Sequence, residues 1–179
     1  MIKINLEDTY EPISISDDLT EFIFHSELNS GESKDLYVRF YDYEDPFLPN
    51  VYNLAYGPLD EHGKIDDTIK LQHKNINKLF STIIFFVITF LDTNKDKKIG
   101  IDGSDDTRAY LYHRMFISNH EELNDLVVII GVDWYVKLLR NGNVERDQYD
   151  RALFKPRPEP FDLERKASNL YRYYLIERK

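Results

Sequence analysis

One short stretch, residues 102–114, concentrates the side chains that bind ions. A Gly-Ser pair lies there among three aspartates and ahead of two arginines; these residues are Asp102, Gly103, Ser104, Asp105, Asp106, Arg108 and Arg114. Free backbone N–H groups at the start of a helix, together with a planar guanidinium, can hold a phosphate or a carboxylate. The stretch therefore predicts an anion site formed by Ser104, Arg108 and Arg114.

The same arginine also has a structural interpretation. At helical spacing, Arg108 shares one face with three apolar residues, Leu111, Tyr112 and Met115. Its guanidinium then lies at the edge of an apolar stripe, where it needs an acidic partner. One of the three aspartates in residues 102–114 could be that partner, which would make the stretch an ion-pair cluster. Both interpretations stay open at this point.

Two groups of carboxylates resemble metal sites, but each lacks part of the ligand set that a metal ion needs. Residues 92–99 begin like an EF-hand calcium loop, with oxygen-bearing side chains at the first, third and fifth positions. Its sixth position is Lys97, where the turn needs glycine, and its twelfth is Gly103, where calcium needs glutamate. The aspartates of residues 102–114 have no further ligands at a recognisable spacing. We therefore predict neither a metal site nor a cofactor.

The sequence contains no complete catalytic set. It has no cysteine, which excludes thiolate catalysis, cysteine zinc sites and disulfides. The five histidines are scattered, and the zinc-protease, serine-hydrolase and nucleoside-triphosphatase motifs are absent. Catalytic residues stay unknown, and the sequence favours a protein without enzymatic activity.

Charge and hydropathy limit the classes of partner. The net charge is −9, from 32 acidic and 23 basic residues, which disfavours nucleic-acid binding. The most apolar run, residues 82–91, is half the length that a membrane span requires. The acidic start of the chain does not resemble a signal peptide. We expect a soluble cytoplasmic protein that does not bind membranes.

The elements that must position these residues follow from apolar periodicity. Apolar residues on nearly all sides over about 75–91 predict a buried central helix, and aspartates at a favourable helix start predict a second helix over about 105–118. Segments rich in β-branched and aromatic residues predict strands at Glu21–His25, Leu36–Tyr41, Val51–Gly57, Ile65–Ile69, Lys98–Ile101 and Leu126–Val132. Leu170–Ile176 is compatible with a strand or a helix, and its Tyr and Ile content favours the strand.

These elements predict the fold class and the domain organisation. Short connections between the first strands favour an antiparallel meander, so we expect an α+β fold in which this sheet packs on both helices. The length of 179 residues fits a single domain, 1–179. Three prolines and an Asn-Gly-Asn turn predict a long polar loop at about 140–160.

Three blocks of the sequence occur at a distinctive spacing: Val51–Gly57, Ile65–Asp67 and Gly103–Met115. In these blocks the chain resembles a bacterial family of uncharacterised proteins with a domain of unknown function. The resemblance extends over about 51–131 and implies a small α+β domain that ends in a strand like 171–176. Residues 95–98 and the 140–160 loop depart from the family pattern. The resemblance implies no activity.

Two hypotheses for function follow. The acidic surface, the aromatic content and the missing catalytic set favour a non-enzymatic cytoplasmic protein that binds a protein partner as a regulatory or antitoxin-like component. The alternative is a nucleotide- or phosphate-binding protein, or an enzyme, that uses the corner from Gly103 to Arg114. The sequence predicts neither the identity of the partner nor the oligomeric state.

Overall fold

The computed structural model describes residues 1–66, 69–103 and 105–179. Within these residues the strands are β1 (Pro12–Ile15), β2 (Glu21–Glu27), β3 (Ser33–Asp42), β4 (Val51–Gly57), β5 (Lys98–Asp102), β6 (Val127–Val136), β7 (Phe154–Pro160) and β8 (Tyr173–Arg178). The helices are α1 (Ile76–Thr93), α2 (Asp106–Ser118) and α3 (His120–Asn124), with a 3-10 turn at Ala167–Asn169. These elements confirm the predicted α+β class.

The strands form one sheet in the order β1-β2-β3-β4-β5-β8-β6-β7. The first four strands are an antiparallel meander; its β2, β3 and β4 were predicted in this arrangement, and β1 was not predicted. The second half is not a meander, because β4 and β5 are parallel and α1 makes the crossover between them. The last strand, β8, lies between β5 and β6 and is antiparallel to both. This order brings the end of the chain into the middle of the sheet.

The central helix α1 forms where the apolar periodicity predicts it. Asn75 begins the helix, and its side chain accepts a hydrogen bond from the Lys78 backbone N–H at 3.0 Å. Apolar residues cover most of the helix surface, and the sheet covers them in turn. Phe86 is fully buried and stacks on Phe22 with 4.4 Å between ring centroids. The helix is therefore the centre of the main core, and the prediction of a buried helix is confirmed.

Among the described residues, α1 is the one helix long and apolar enough to cross a membrane by length and composition. In the structure, 61% of that window is buried against the rest of the chain. The core helix of a globular protein passes the same test, so the length of α1 does not assign a compartment.

Two strand predictions need correction. The predicted loop at about 140–160 contains β7, which pairs with β6 along residues 154–160. Prolines at positions 156, 158 and 160 led to the prediction of a loop. A strand with alternating prolines nevertheless fits the edge of a sheet, because every second residue faces away from the neighbouring strand and needs no backbone N–H to pair with it. Of the predicted strand at Ile65–Ile69, the described residues 65, 66 and 69 belong to no strand of the sheet, and an isolated bridge joins Leu59 to Ile65. Asp67 and Thr68 lie outside the described residues.

The rest of the predicted loop is an ordered extension, residues 137–153. Isolated bridges join Leu138 to Val144 and Arg146 to Ala152. The chain therefore turns back twice between β6 and β7. We call the first of these turns, residues 137–144, the hairpin.

Candidate functional site

The predicted anion corner begins at the start of α2. Asp105 caps this helix by accepting a hydrogen bond from the Arg108 backbone N–H at 2.8 Å. The same carboxylate lies 3.2 Å from Arg108 Nε. Arg108 thus forms an ion pair within the first turn of its own helix, which is the contact that the structural interpretation expects. Ser104 lies outside the described residues, so its part in an anion site stays a prediction.

The second predicted arginine lies on another side of α2. Arg114 is exposed and follows Arg108 by six residues. At about 100° per residue, the two side chains leave the helix about 120° apart. The structure therefore does not bring Arg108 and Arg114 to one point.

A cleft of about 650 Å³ opens beside the predicted corner. The arginine that lines this cleft is Arg172, and neither Arg108 nor Arg114 lines it. Its walls are Asp106 and Tyr110 from α2, Trp134 from β6, and the segment from the 3-10 turn to Arg172. A second cavity of about 240 Å³ shares Trp134 and Arg172 with the first. These two side chains are therefore accessible from both cavities.

Arg172 is positioned by the sheet order. Its backbone carbonyl accepts a hydrogen bond from the Gly103 N–H at 2.9 Å, immediately before β8 begins. Its Nη2 lies 2.5 Å from Asp106 Oδ1, and the Asp106 side chain is 91% exposed. Ion pairs this exposed contribute about 0–1 kcal/mol to stability. Arg172 has no local sequence signal, because only the insertion of β8 beside β5 brings it near α2.

The floor of the cleft is held by a buried arginine. Arg165 Nη1 lies 2.9 Å from Glu159 Oε1, and its Nη2 lies 2.5 Å from Asp133 Oδ1. Its guanidinium carbon lies 3.6 Å from the centre of the Tyr171 ring, and only 8% of its side chain is exposed. Arg165 also donates to the backbone carbonyl of Asn169. These contacts fix the 3-10 turn against β6 and compensate the charge of Asp133.

The smaller cavity contains a tyrosine that stays neutral. The Tyr173 hydroxyl donates to Asn53 Oδ1 above Gly100, where a Cβ atom would overlap the hydroxyl oxygen. Burial raises the pKa of Tyr173 far above its ordinary value, and the nearby Tyr43 and Asp102 act in the same direction. Tyr173 is therefore a hydrogen-bonding group at neutral pH and not a base.

The hairpin exposes apolar side chains beside two cations. Leu138 is 70% exposed and Leu139 is 40% exposed. Lys137 and Arg140 flank them, and within the described part of the chain neither makes an ion pair of 4 Å or less, although the charge of Lys137 acts on Glu145. Residues 137–157 contain six basic and three acidic residues, on a chain whose net charge is −9. The hairpin is thus an apolar and locally basic surface on an acidic protein.

The exposed apolar surface continues from the hairpin to the cleft. Phe154 is 60% exposed and pairs with Val136 at the end of β6. Because side chains alternate along a strand, Trp134 and Val136 lie on the same face as Phe154. Trp134 is 38% exposed and lines both cavities. Hairpin and cleft therefore border one continuous surface.

His113 on α2 is buried without a full set of partners. It is 3% exposed, and its Nδ1 has no hydrogen-bond partner among the described residues. The ring packs edge-on against Phe161 with 5.3 Å between centroids. Burial lowers the pKa of His113 and outweighs a hydrogen bond with the Arg165 backbone, which raises it; the charges of Arg165 and Arg114 add to the lowering. The folded protein therefore holds this histidine neutral under conditions where the unfolded chain protonates it.

We expect stability to fall as the pH falls below about 6.5, the ordinary pKa of histidine, because the unfolded state then binds a proton that the folded state does not. His113→Phe removes this contribution. Urea unfolding at pH 7.5 and 5.5 should show a smaller loss of unfolding free energy for the variant than for the wild type. The exposed His62→Gln should behave like the wild type, and equal losses in all three proteins would contradict the assignment.

The described residues contain no group of three or more histidine, aspartate or glutamate side chains arranged to hold a metal ion. The aspartates near the corner point to other partners instead, since Asp105 pairs with Arg108 and Asp106 with Arg172.

Comparison with known proteins identifies a family and no function. The chain belongs to the Family of unknown function (DUF6934), whose profile matches residues 6–151. No curated protein and no solved structure matches the chain. The matched region includes the hairpin and ends before β7 and β8. Arg172 therefore lies beyond the matched region.

Proposed function

We propose that this member of the DUF6934 family is a non-enzymatic protein-binding module with a regulatory or antitoxin-like role, and that the hairpin makes the contact. The observation that carries the proposal is the exposure of Leu138 and Leu139 between two cations without ion pairs. Two adjacent leucines that remain in water are an unfavourable surface for a free protein. A partner that covers them removes this cost.

The free energy gained by covering the two leucines favours a protein partner. Burying one leucine side chain contributes about 1.5–3 kcal/mol. The pair, with Phe154 beside it, therefore has enough apolar surface to form the centre of a small interface. Although the hairpin is locally basic, nucleic acid offers little apolar surface to cover its leucines, and the net charge of −9 opposes the approach of nucleic acid to the protein as a whole.

The charge of the hairpin indicates the chemistry of the partner. Lys137 and Arg140 stand at the rim of the apolar pair. Opposite charges on the two proteins at the rim of an interface accelerate their association and contribute to the choice of partner. We therefore expect a partner whose binding surface combines apolar residues with carboxylates.

The described side chains support a role without catalysis. Tyr173 is held neutral by burial, and His113 is buried away from the cleft among aromatic rings. Asp133 is neutralised by Arg165. A bacterial cytoplasm is part of the proposal, because the chain has no cysteine and needs no disulfide.

A nucleotide- or phosphate-binding role remains the second candidate. It is favoured by the position of the cleft, which opens directly beside the corner from Gly103 to Arg114. In this role the cation is Arg172 rather than Arg108, because Arg172 lines the cleft.

The hairpin proposal predicts that binding fails when either its apolar pair or its cations are changed. Three proteins are isolated from the native host together with any bound partner. They are the wild type, the double variant Leu138→Ser/Leu139→Ser and the double variant Lys137→Glu/Arg140→Glu. We expect each double variant to lower recovery of the partner about tenfold or more, since losing about 1.4 kcal/mol weakens binding tenfold. Circular dichroism and thermal unfolding should show both variants folded.

Matched controls separate the hairpin from general surface effects. Ile13→Ser removes an apolar side chain that is 53% exposed on β1, at the other edge of the sheet. Lys34→Glu with Lys70→Glu changes the net charge by the same amount at two exposed sites. Both controls should recover the partner as the wild type does. Equal recovery with the hairpin variants would refute the proposed contact.

A further inference from the structure

We infer that the cleft beside α2 is a binding site for a small aromatic molecule with one terminal anionic group, in which Arg172 binds the anion and Trp134 contacts the ring. Neither the sequence motifs nor the family match assigns Arg172 to a site. The inference does not depend on a protein partner. Its basis is the position of these two side chains in the wall between the cavities.

The size and composition of the cleft fit such a ligand. A volume of about 650 Å³ lies within the range of small-molecule sites, roughly 300–1,000 Å³. Tyr110 and Trp134 are 53% and 38% exposed, so both present ring surface to the cavity. Ser168 and Asn169 add hydroxyl and amide groups at the wall. Polar and charged residues make up half of the lining, so the cleft suits a ligand that combines a ring with a charged group.

Arg172 is available for an external anion. Its ion pair with Asp106 at 2.5 Å is made to a carboxylate that is 91% exposed. Such a pair is easily exchanged, because water and salt screen it strongly. A phosphate or carboxylate on a ligand can instead accept two parallel hydrogen bonds from the guanidinium. Arg165 cannot serve in this way, since its guanidinium is buried against Tyr171 and bonded to Asp133 and Glu159.

The acidic residues of the cleft do not prevent anion binding. Asp133 lies 2.5 Å from Arg165 and 3.4 Å from Arg157, so its charge is compensated. Asp106 is the one lining carboxylate of the larger cavity that competes directly for Arg172. Removing this competitor should therefore strengthen anion binding, an effect that a purely structural ion pair would not produce.

The site is held in place before a ligand binds. The backbone of Arg172 is fixed by the hydrogen bond from Gly103, and β8 follows immediately. The 3-10 turn on the other wall is fixed by Arg165. A preformed site loses less conformational entropy when it binds its ligand.

The test uses the full chain and the fluorescence of Trp134, which is the single tryptophan of the protein. The probes are adenosine 5′-monophosphate, phenylacetate, neutral adenosine and inorganic phosphate, each followed by fluorescence and by titration calorimetry. We expect at least one of the two aromatic anions to change the Trp134 emission in a saturable way. Adenosine and inorganic phosphate alone should bind at least tenfold more weakly. Comparing the two anions shows whether phosphate or carboxylate is preferred.

Three variants assign the binding to Arg172. Arg172→Gln should weaken binding tenfold or more, and Asp106→Asn should strengthen it several-fold. Arg108→Gln is the matched control, because this arginine pairs with Asp105 and does not line the cleft. It should bind within twofold of the wild type. Asp106→Asn changes an exposed side chain, so it gives a result even if Arg172→Gln fails to fold.

Several results would overturn the inference. One is the absence of any saturable change with either aromatic anion at millimolar concentration. Another is unchanged binding in both Arg172→Gln and Asp106→Asn. A third is loss of binding in Arg108→Gln alone, which would return the anion site to the corner predicted from the sequence.

Discussion

A fragment of residues 1–151 should not fold, although it contains the whole region that matches the family. The fragment lacks β8, which lies between β5 and β6 in the middle of the sheet. Four side chains that are at most 2% exposed are lost with it: Tyr171, Tyr174, Leu175 and Ile176. At about 1.5–3 kcal/mol each, this loss matches the total stability of a typical domain, about 5–15 kcal/mol.

Circular dichroism and a proton–nitrogen NMR correlation spectrum test this prediction. The full chain should show dispersed amide signals, and the fragment should show the narrow dispersion of an unfolded chain. Adding a peptide of residues 152–179 should restore dispersion if β8 is the missing part. A fragment that is dispersed and unfolds cooperatively on its own would contradict the sheet order.

Truncating Phe86 should cause one of the largest losses of stability that a single core substitution can produce in this protein. Phe86 is fully buried, stacks on Phe22 and makes an edge contact with Phe24 at 5.8 Å between centroids. Replacing a buried phenylalanine with alanine typically costs 3–5 kcal/mol, through lost burial and the cavity that remains. Phe86→Ala should therefore lower the free energy of unfolding by about that amount.

The neighbouring Phe85 is the matched control, since it is 40% exposed on the outer side of the same helix. We expect Phe85→Ala to cost less than about 1.5 kcal/mol, because most of its ring is not enclosed. Urea unfolding of both variants gives the comparison. Equal losses of unfolding free energy in the two variants would contradict the placement of Phe86 in the core and of Phe85 on the outer side of α1.

The parts of the fold that depend on local pattern could be predicted. The apolar periodicity of α1 and the aspartates at the start of α2 placed both long helices within a few residues. The β-rich block at Val51–Gly57 coincides with β4. In each case the relevant interaction lies within one turn or one strand, so neighbouring residues contain the information.

The parts that depend on distant contacts could not be predicted. The position of β8 is decided by pairing with β5 and β6, which lie far away in the sequence. The same pairing brings Arg172 to the cleft, so the cleft was missed although the corner beside it was noticed. The strand β7 was missed because its prolines indicate a loop locally, and only its place at the sheet edge makes them compatible with a strand.

The proposed role of the hairpin is tested most directly by crosslinking in the native host. A photoreactive phenylalanine analogue replaces Leu138 in one protein and Ile13, on the opposite edge of the sheet, in another. We predict that position 138 crosslinks to one protein, at a peptide rich in apolar and acidic residues. The crosslink should disappear when Lys137→Glu and Arg140→Glu are added. Crosslinks to nucleic acid, to a second copy of this chain, or to the same mixture from both positions would contradict the proposal.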